Sequence, residues 1–210
     1  MEVAAEALDE AECYKLLSGA VVPRPIAWVS SLTEGGSVNL APFSCYTFVS
    51  TVPPLIAISC GRKFGVVKDT VSNAVRSGEF VVNVASHDML DALHHSSAEL
   101  AADTSEAEAL GIELAASHAL AAPRVARAQI SMECRTRDVI EFGTHRTQLL
   151  IGEVVWFHVK DECLRGGRID TALLDPIGRV GGPNYARLGA IEGKEPVATS
   201  SVDAARNRRP

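Results

Sequence analysis

The sequence predicts a mainly β protein whose antiparallel strands close into a barrel, with a few helices beside it. Short β-rich runs follow one another at close spacing, and polar or glycine-rich segments separate them. Two longer β-rich stretches, residues 128–142 and 148–159, are separated by a turn at Gly143-Thr144. A parallel doubly wound sheet would instead alternate strands with helices, so we favour the closed antiparallel barrel.

Local signals assign the elements in order. Asp9 is suited to cap a helix that Gly19 stops, and Gly78 is suited to end a second helix. The segment from Thr33 to Ser37 contains two glycines that accept positive φ, which predicts a hairpin. In order, we expect a helix over residues 9–17, strands over 26–32 and from 38 to a break at Pro53-Pro54, a strand over 55–60, a helix over 68–76, a strand over 79–85, an exposed and largely helical segment over 87–120, and the two long strands.

Length and composition allow one domain. The chain has 210 residues, 47% of them hydrophobic, and can therefore bury a sizeable core without disulfides. We expect a single domain over residues 1–190. Residues 191–210 are mostly polar and include several arginines at their end, so we expect a flexible C-terminal tail there.

Charge and cysteine usage argue against several classes of protein. The chain has 20 basic and 26 acidic residues, and a net charge of −6 does not suit a broad nucleic-acid-binding surface. Its five cysteines form no C-x-x-C pair, which indicates reduced thiols rather than disulfides or a zinc site. The acidic N-terminus is unlike a signal peptide, and no window is apolar for long enough to cross a bilayer. We therefore expect a cytoplasmic protein that binds neither nucleic acid nor membranes.

The histidines do not predict a metal site. His94 and His95 are adjacent, and adjacent residues on a helix point in different directions. No carboxylate or third histidine stands at a supporting offset. His145 and His158 are isolated in the strand region, where we expect them to be exposed or hydrogen-bonded in place.

The segment Lys68-Asp69-Thr70 has the properties of a phosphate-binding helix start. A phosphate is best held by backbone N–H groups at a helix N-terminus and by a nearby cation. If Asp69 or Thr70 is the N-cap, the Thr70 hydroxyl faces such an anion. The amides of Val71 and Ser72 would then be free to bind it. From the residues alone, the alternative is an ordinary capped surface helix.

Residues 39–46 could bind a flat ring with polar edges. Pro42 cannot donate a ladder hydrogen bond, which indicates an edge or bulge where neighbouring amides stay free for a ligand. Ser44 and Ser59 carry hydroxyls in otherwise apolar strands, and such hydroxyls need partners when they are buried. The alternative is an edge strand in which the proline blocks aggregation.

The run R-V-G-G-P-N-Y at residues 179–185 is not a dinucleotide-binding glycine motif. Pro183 and Asn184 cannot open the crossover helix that a Rossmann fold requires. A rigid loop that positions Tyr185 against a cofactor, with Arg179 as an anchor, is the better interpretation. Tyr185 could instead lie in the core or at a dimer interface.

In this order, the segments resemble the flavin reductase-like family of FMN-binding split β-barrels, which includes NAD(P)H:flavin oxidoreductases and flavoprotein oxygenases. The resemblance covers roughly residues 14–189. It rests on R-P-I at 24–26, N-L-A-P-F-S-C-Y-T-F at 39–48, P-P-L-I-A-I-S-C at 53–60, K-D-T-V-S-N at 68–73, F-V-V-N at 80–83, E-C at 133–134, I-G-E-V at 151–154 and R-V-G-G-P-N-Y at 179–185. It implies an antiparallel Greek-key split β-barrel that binds FMN non-covalently.

The resemblance also implies where FMN binds. In the family, the segment that matches Ala41 to Cys45 lines the flavin ring, and the segment that matches Lys68-Asp69-Thr70 lies beside the phosphate. The expected FMN-binding residues are Asn39, Ala41, Pro42, Phe43, Ser44, Cys45, Ser59, Lys68, Asp69, Thr70, Asn73, Arg179, Gly182 and Tyr185. Cys45 and Cys60 fall beside the expected ring, either as small buried residues or as a redox-active thiol. The catalytic residues stay unknown, because hydride transfer to a flavin requires ring contact and stabilised charge rather than an acid or base.

By resemblance, NADH or NADPH reduces the flavin, which then passes electrons to an acceptor such as a partner monooxygenase or oxygen. One alternative is an FMN-dependent oxygenase or oxidase that acts on its own small organic substrate, with residues 87–120 covering the ring. Another is a flavin electron carrier without turnover. We also expect a homodimer with the cofactor near the subunit boundary, because an edge interrupted by Pro42 leaves a slot that one small sheet cannot close.

Overall fold

The fold is built on one seven-stranded antiparallel sheet. The computed structural model describes residues 2–62, 65–98 and 104–195. The helices are α1 (Glu10–Ala20), α2 (Asp69–Ser77), α3 (Leu90–His95), α4 (Glu106–Ala109) and α5 (Thr171–Leu174). The strands are β1 (Arg24–Pro25), β2 (Ala27–Leu32), β3 (Val38–Phe43), β4 (Tyr46–Thr51), β5 (Pro54–Cys60), β6 (Glu79–Val84), β7 (Leu114–Ala115), β8 (Arg124–Val125), β9 (Ile130–Phe142), β10 (Thr147–Val159), β11 (Leu164–Arg165), β12 (Arg168–Ile169), β13 (Gly178–Arg179) and β14 (Tyr185–Ala186).

The main sheet has the strand order β3-β2-β6-β9-β10-β5-β4. Its edge strands β3 and β4 are consecutive in the chain and are joined only by Ser44 and Cys45. A flat seven-stranded sheet would hold its edges roughly 28 Å apart, so this sheet must curl until the edges meet. Strands β5 and β6 are also consecutive in the chain but have β9 and β10 between them, as in a Greek key. The predicted mainly β, antiparallel barrel is confirmed, and it is split at the Ser44-Cys45 bend.

One predicted strand boundary is wrong. The strand expected from residue 38 to Pro53 is two strands, β3 and β4, because the chain turns from one sheet edge to the other at Ser44 and Cys45. Pro54 is the first residue of β5 and pairs with Thr51 of β4, so the two prolines lie in a hairpin rather than at the main break.

The predicted helix signals are mostly confirmed. Asp9 is the N-cap of α1, where its Oδ1 accepts a hydrogen bond from the Glu12 amide at 2.8 Å and the Glu12 carboxylate accepts one from the Asp9 amide at 3.0 Å. Gly78 ends α2 with a φ of 75°. Gly19 does not end α1, which continues to Ala20, because Gly19 keeps a helical backbone instead of the left-handed one.

The main core fills the barrel. Its largest fully buried members come from β2, β5, β6 and β10, and α2 closes one end with Val71 and Ala74. The buried side chains at its centre are those of Val29, Ile58, Phe80, Val82 and Leu150. Because these strands face the interior with every second side chain, the remaining side chains face outward.

A second core lies outside the barrel and corrects the expectation for residues 87–120. The segment is helical only in part, because α3 and α4 are short. It is also not exposed throughout, because Leu93 and Ala107 are buried against the outer face of β2 and β3. The physical reason is Trp28, a fully buried side chain on that outer face, whose indole N–H donates to Ser96 Oγ at 2.9 Å. An indole of that size must be covered. Residues 99–103 of the predicted segment lie outside the described residues.

The ends of the domain meet in a small sheet of order β1-β13-β14. Its register pairs Arg24 with Arg179, so the 179–185 loop lies beside the start of the barrel. Residues 191–195 form neither helix nor strand, and residues 196–210 of the predicted tail lie outside the described part. The domain boundary at residue 190 stays a prediction. Within the described ranges, no helix has the length and apolar character to cross a membrane.

Candidate functional site

A cavity of about 1010 Å³ opens at the split of the barrel. Ser44 and Cys45 of the bend and Ser59 of β5 line one wall, as predicted for a ring-binding slot. Helix α1 lies on the opposite side and contributes Tyr14 and Leu17. No residue of α1 is buried, so its apolar side chains face a space that the described chain leaves unfilled. We call this space the α1 cavity.

Pro42 removes a donor from the exposed side of β3. Alternate residues of a strand direct their N–H groups to the same side, and the Leu40 amide on that side donates to Glu106 Oε2 of α4 at 2.8 Å. Burial raises the pKa of the Glu106 carboxyl, against the lowering effect of the hydrogen bond from Leu40. Ser44 is next on this side, and its amide has no partner among the described residues. The Ser59 amide donates to the Cys45 carbonyl at 2.8 Å, which extends the pairing of β4 with β5 up to the bend.

Two of the predicted ring residues do not present side chains to the cavity. Phe43 is buried in the main core, and Ala41 packs against the same cluster. Any contact that these two residues make with a ligand at the bend is therefore a backbone contact. Cys45 is exposed, has a free thiol and lines the cavity.

The start of α2 differs from the prediction by one or two residues. Lys68 is the N-cap, because the Val71 and Ser72 amides donate to the Lys68 carbonyl at 3.0 and 3.1 Å. These two amides are consequently not free. The free donors of the first turn are the amides of Asp69 and Thr70, for which the described residues provide no acceptor.

Three predicted residues come together in a buried polar cluster. Asn39 Nδ2 donates to Thr70 Oγ1 at 2.9 Å, and Asn73 Nδ2 donates to Ser31 Oγ at 3.3 Å. All four side chains are buried, and they join β2, β3 and α2. Sequence reasoning missed Ser31, although a hydroxyl inside an apolar strand is the signal that could have found it. The sequence predicted that the Thr70 hydroxyl faces a bound anion. In the structure this hydroxyl instead accepts the hydrogen bond from Asn39.

Lys68 is exposed, and its charge acts on the end of β5. Burial raises the pKa of the Cys60 thiol to about 12, while the positive charge of Lys68 lowers it. The Cys60 thiol therefore stays protonated near neutral pH, which favours the interpretation of Cys60 as a small buried residue over a redox-active thiolate. The hydrogen bond from Asn39 of β3 to Thr70 joins the α2 start to the strand that leads into the bend.

The predicted C-terminal residues form a separate cluster. Arg179 Nη2 donates to the Gly182 carbonyl at 3.0 Å, and its Cζ lies 4.5 Å from the centre of the Tyr185 ring. The Tyr185 hydroxyl lies 3.0 Å from His94 Nδ1. None of the three predicted residues lines the α1 cavity, so within one chain the structure does not bring Arg179, Gly182 and Tyr185 to the bend.

Arg24 connects this cluster to the α1 cavity, and sequence reasoning did not assign it to the site. Its Nη1 donates to the carbonyls of Ser18 and Val21 at 2.6 and 2.8 Å, and its Nη2 donates to the Val180 carbonyl at 3.4 Å. The residue is 7% exposed and lines the cavity. An arginine that opens a β-rich run is the sequence signal, but its burial depends on tertiary neighbours.

Further basic residues form the rim of the α1 cavity. Arg62 and Arg146 both pair with Glu141, and Arg62 Nε donates to the Arg146 carbonyl at 2.9 Å. His145 Nε2 lies 3.4 Å from Glu10 Oε2 of α1. These pairs link the turn between β9 and β10 to β5 and to α1. The sequence did not predict this rim, because its members are far apart in the chain.

The remaining histidines have local partners. His95 Nδ1 lies 2.7 Å from the Asp91 carbonyl, and His158 Nε2 lies 2.6 Å from Glu133 Oε1. Across the described residues, no group of three or more His, Cys, Asp and Glu side chains could hold a metal ion.

Comparison with known proteins identifies the family. Residues 18–174 match the flavin reductase-like domain. The uncharacterized protein YwrF of Bacillus subtilis is 41% identical over 191 residues, which cover 88% of this chain and 93% of YwrF. The crystal structure of nitrilotriacetate monooxygenase component B from Bacillus cereus matches with a TM-score of 0.89 and 38% identity, over 92% of this chain and 98% of that one. The 2-nitrobenzoate 2-nitroreductase NbaA of Pseudomonas fluorescens matches with a TM-score of 0.84 and 32% identity, over 95% and 97%. The chain therefore belongs to the flavin reductase-like family and has its split β-barrel fold.

Proposed function

We propose that this protein is an FMN-binding oxidoreductase that uses NADH or NADPH to reduce its flavin and delivers the electrons to an acceptor. One observation carries the proposal: Gly65, three residues before the N-cap of α2, lines the cavity of about 1010 Å³ at the split of the barrel. At that helix start the described residues provide no acceptor for the Asp69 and Thr70 amides, and Lys68 supplies a positive charge. The family relationship supports the same class of activity.

The residues at the start of α2 fit a phosphate. The Asp69 and Thr70 amides lack acceptors in the described chain, Lys68 supplies a positive charge, and the helix dipole favours an anion at this end. Asp69 is exposed and would turn its carboxylate to solvent. The cluster of Asn39, Thr70 and Asn73 would act mainly by fixing the position of this helix start.

The residues at the bend fit the ring of FMN. Ser44 offers an amide that has no partner in the described part of the chain, and Ser59 of β5 offers a hydroxyl beside it. Pro42 keeps the edge from pairing with another strand. When bound, FMN would supply the redox chemistry by accepting a hydride and releasing electrons. The chain would hold the ring, donate hydrogen bonds to its polar edge and exclude water. We therefore assign no acid or base residue to catalysis.

Two of the similar proteins point to different acceptors for the electrons. The similarity to component B of nitrilotriacetate monooxygenase favours transfer to a partner oxygenase. The similarity to a 2-nitrobenzoate 2-nitroreductase favours a second candidate, in which the protein acts on its own small organic substrate. An electron carrier without turnover is the third candidate.

We also propose that the protein works as a cytoplasmic homodimer. Helix α1 has no buried residue, and β4 exposes apolar side chains at an edge of the sheet, so a second copy would cover both surfaces. Dimerisation could also bring the Arg179, Gly182 and Tyr185 cluster of one subunit to the cavity of the other.

Two measurements on the purified protein test the function. Heat release followed by chromatography should recover FMN, and recovery of FAD alone or of no flavin would contradict the proposal. Stopped-flow mixing with NADH or NADPH should then bleach the bound flavin rapidly. Bleaching only by another donor would favour the carrier, and oxygen uptake that depends on an added organic substrate would favour the oxygenase or oxidase.

A further inference from the structure

A second cavity, of about 320 Å³, lies beside the α1 cavity and shares Arg24 with it. We call it the side pocket. We propose that the side pocket binds a small aromatic carboxylate, which is the organic substrate of the neighbouring flavin site. The role of this ligand as a substrate rests on the proposed function, whereas its binding follows from the side pocket alone.

The size and walls of the side pocket suit one aromatic ring. Its volume is near the lower limit for small-molecule sites, so a dinucleotide does not fit inside it. Apolar side chains from four separate parts of the chain form its walls, among them Ile26, Leu93, Leu174 and Ile177. All four belong to buried clusters, so the walls are set by the core and are not loose surface side chains.

The charges at the side pocket are positive. Arg24 and Arg187 line it, and no acidic side chain of the described residues does so. Arg24 is 7% exposed, and its hydrogen-bond partners among the described residues are backbone carbonyls, which do not neutralise its charge. A buried guanidinium without a carboxylate partner is stabilised by an anionic ligand, and a carboxylate matches the fork of its N–H groups.

Arg187 can serve as the second contact to such a carboxylate. Its Nη2 lies 2.5 Å from Asp175 Oδ2, which leaves its other N–H groups available. Asp175 therefore competes with the ligand for Arg187. Asp175 has a φ of 44°, in the left-handed region, which asparagine also adopts readily. The Asp175→Asn change should remove the competing charge without straining the backbone.

The position of the pocket places its ligand next to the bend. Tyr46 lines the side pocket and directly follows Cys45, which lines the α1 cavity. Burial raises the pKa of the Tyr46 hydroxyl, so this group stays a hydrogen-bond donor. A ring in the side pocket would thus lie beside the cavity that we assign to FMN, where contact between the two rings is required for electron transfer.

The test is calorimetric titration of the FMN-loaded protein with benzoate, with benzyl alcohol as the uncharged probe. Arg187→Gln should weaken benzoate binding about ten-fold, as expected for the loss of one charge-assisted hydrogen bond. Asp175→Asn should tighten it several-fold. The matched control is Arg165→Gln, because Arg165 is also an exposed arginine paired with an aspartate, 2.7 Å from Asp170 Oδ2, and it should leave benzoate affinity unchanged. Benzyl alcohol should bind more weakly and respond to none of the three changes.

The proposal is overturned if benzoate does not bind saturably to the yellow protein, or if Arg187→Gln and Arg165→Gln bind it equally well. It is also overturned if Asp175→Asn fails to tighten binding, since the ion pair would then be purely structural. Flavin content is read from the visible absorbance before each titration. A colourless protein would refute the proposed flavin function, whereas a yellow protein that ignores benzoate would refute only the side pocket.

Discussion

Lys68 and Thr70 are two residues apart at the start of α2, yet their surroundings give them different tasks. Lys68 is exposed, and no hydrogen bond of its side chain is found in the described chain. Thr70 is 1% exposed and accepts the hydrogen bond from Asn39. The charge of Lys68 is therefore available to a ligand, whereas the Thr70 hydroxyl already stabilises the fold.

We expect Lys68→Ala to weaken FMN binding by about 1 to 3 kcal/mol, through the loss of a charge-assisted contact, and to change the free energy of unfolding by less than about 0.5 kcal/mol. Thr70→Val should lower the free energy of unfolding by about 1 to 3 kcal/mol, because Asn39 loses its short hydrogen bond. Lys194→Ala is the control, because it also removes one lysine charge. Fluorescence titration with FMN and urea denaturation separate the two effects, and unchanged FMN affinity in Lys68→Ala would remove the phosphate assignment.

Glu133 is a fully buried carboxylate that fastens a loop to the barrel. It accepts hydrogen bonds from the His118 and Ala119 amides at 2.6 and 2.7 Å and from His158. Burial alone would raise its pKa, but the hydrogen bonds from His118, His158 and Ala119 lower it below the usual 4.5. Since the folded pKa is depressed, this carboxylate stabilises the fold above pH 4.5, and the contribution is lost as the pH falls through the lower folded value.

Glu133→Gln should therefore lower the free energy of unfolding at pH 7 by about 2 to 4 kcal/mol, because its NH₂ group cannot accept one of the three hydrogen bonds. The variant should also lose less stability than the parent protein on acidification below pH 4.5. Urea denaturation at pH 7 and at pH 4 measures both. A pH dependence identical to that of the parent would show that Glu133 is not the titrating group.

At the scale of elements, the features that depend on neighbouring residues in the sequence were predicted better than those that depend on contacts between distant parts of the chain. The C-terminal end of α2 and the hairpin at residues 33–37 follow from capping and turn residues, which act within a few positions. The break at Ser44-Cys45 carries no glycine, and it arises because two edges of the same sheet must meet there. The burial of Ala107, Ala122 and Val125 could not be predicted, since the position of this segment depends on Trp28 and on Glu79. Glu79 accepts hydrogen bonds from the Ala121 and Ala122 amides.

Gly152 shows how one element constrains another across the barrel. It lies in β10, and a Cβ at this position would overlap the Phe80 ring and lie 3.1 Å from Cys134 Cβ. Gly152→Ala should lower the free energy of unfolding by about 1 to 3 kcal/mol, because the core has no room for the methyl group. In a Phe80→Leu background the same change should cost less, and urea denaturation of the double-mutant cycle measures this coupling. Gly35→Ala, in an open turn, should be neutral, and equal costs of Gly152→Ala in both backgrounds would contradict the argument.

At the scale of the whole molecule, the sequence motifs predicted some of the residues that line the α1 cavity but not all of them. The bend residues Ser44, Cys45 and Ser59 line the cavity together as expected, because Cys45 leads into β4, which pairs with β5. Arg24 and the basic rim could not be predicted, since the burial of a charge is a property of the folded chain. The 179–185 loop was expected at the cofactor but lies beside α3 in one chain, because its contacts are to His94 and to the start of the barrel.

The dimer prediction follows from the exposed apolar surface. Phe48 and Val52, in β4 and the hairpin after it, are 72% and 89% exposed, which is unusual for large apolar side chains at an unpaired sheet edge. We expect light scattering at micromolar concentration to give a dimer. Val52→Lys should shift it toward monomer and lower FMN occupancy with it, because a ligand that binds only the assembled form stabilises that form by mass action. Val75→Lys, on the exposed side of α2, is the control, and a monomer that retains full FMN occupancy would rule out a site shared between subunits.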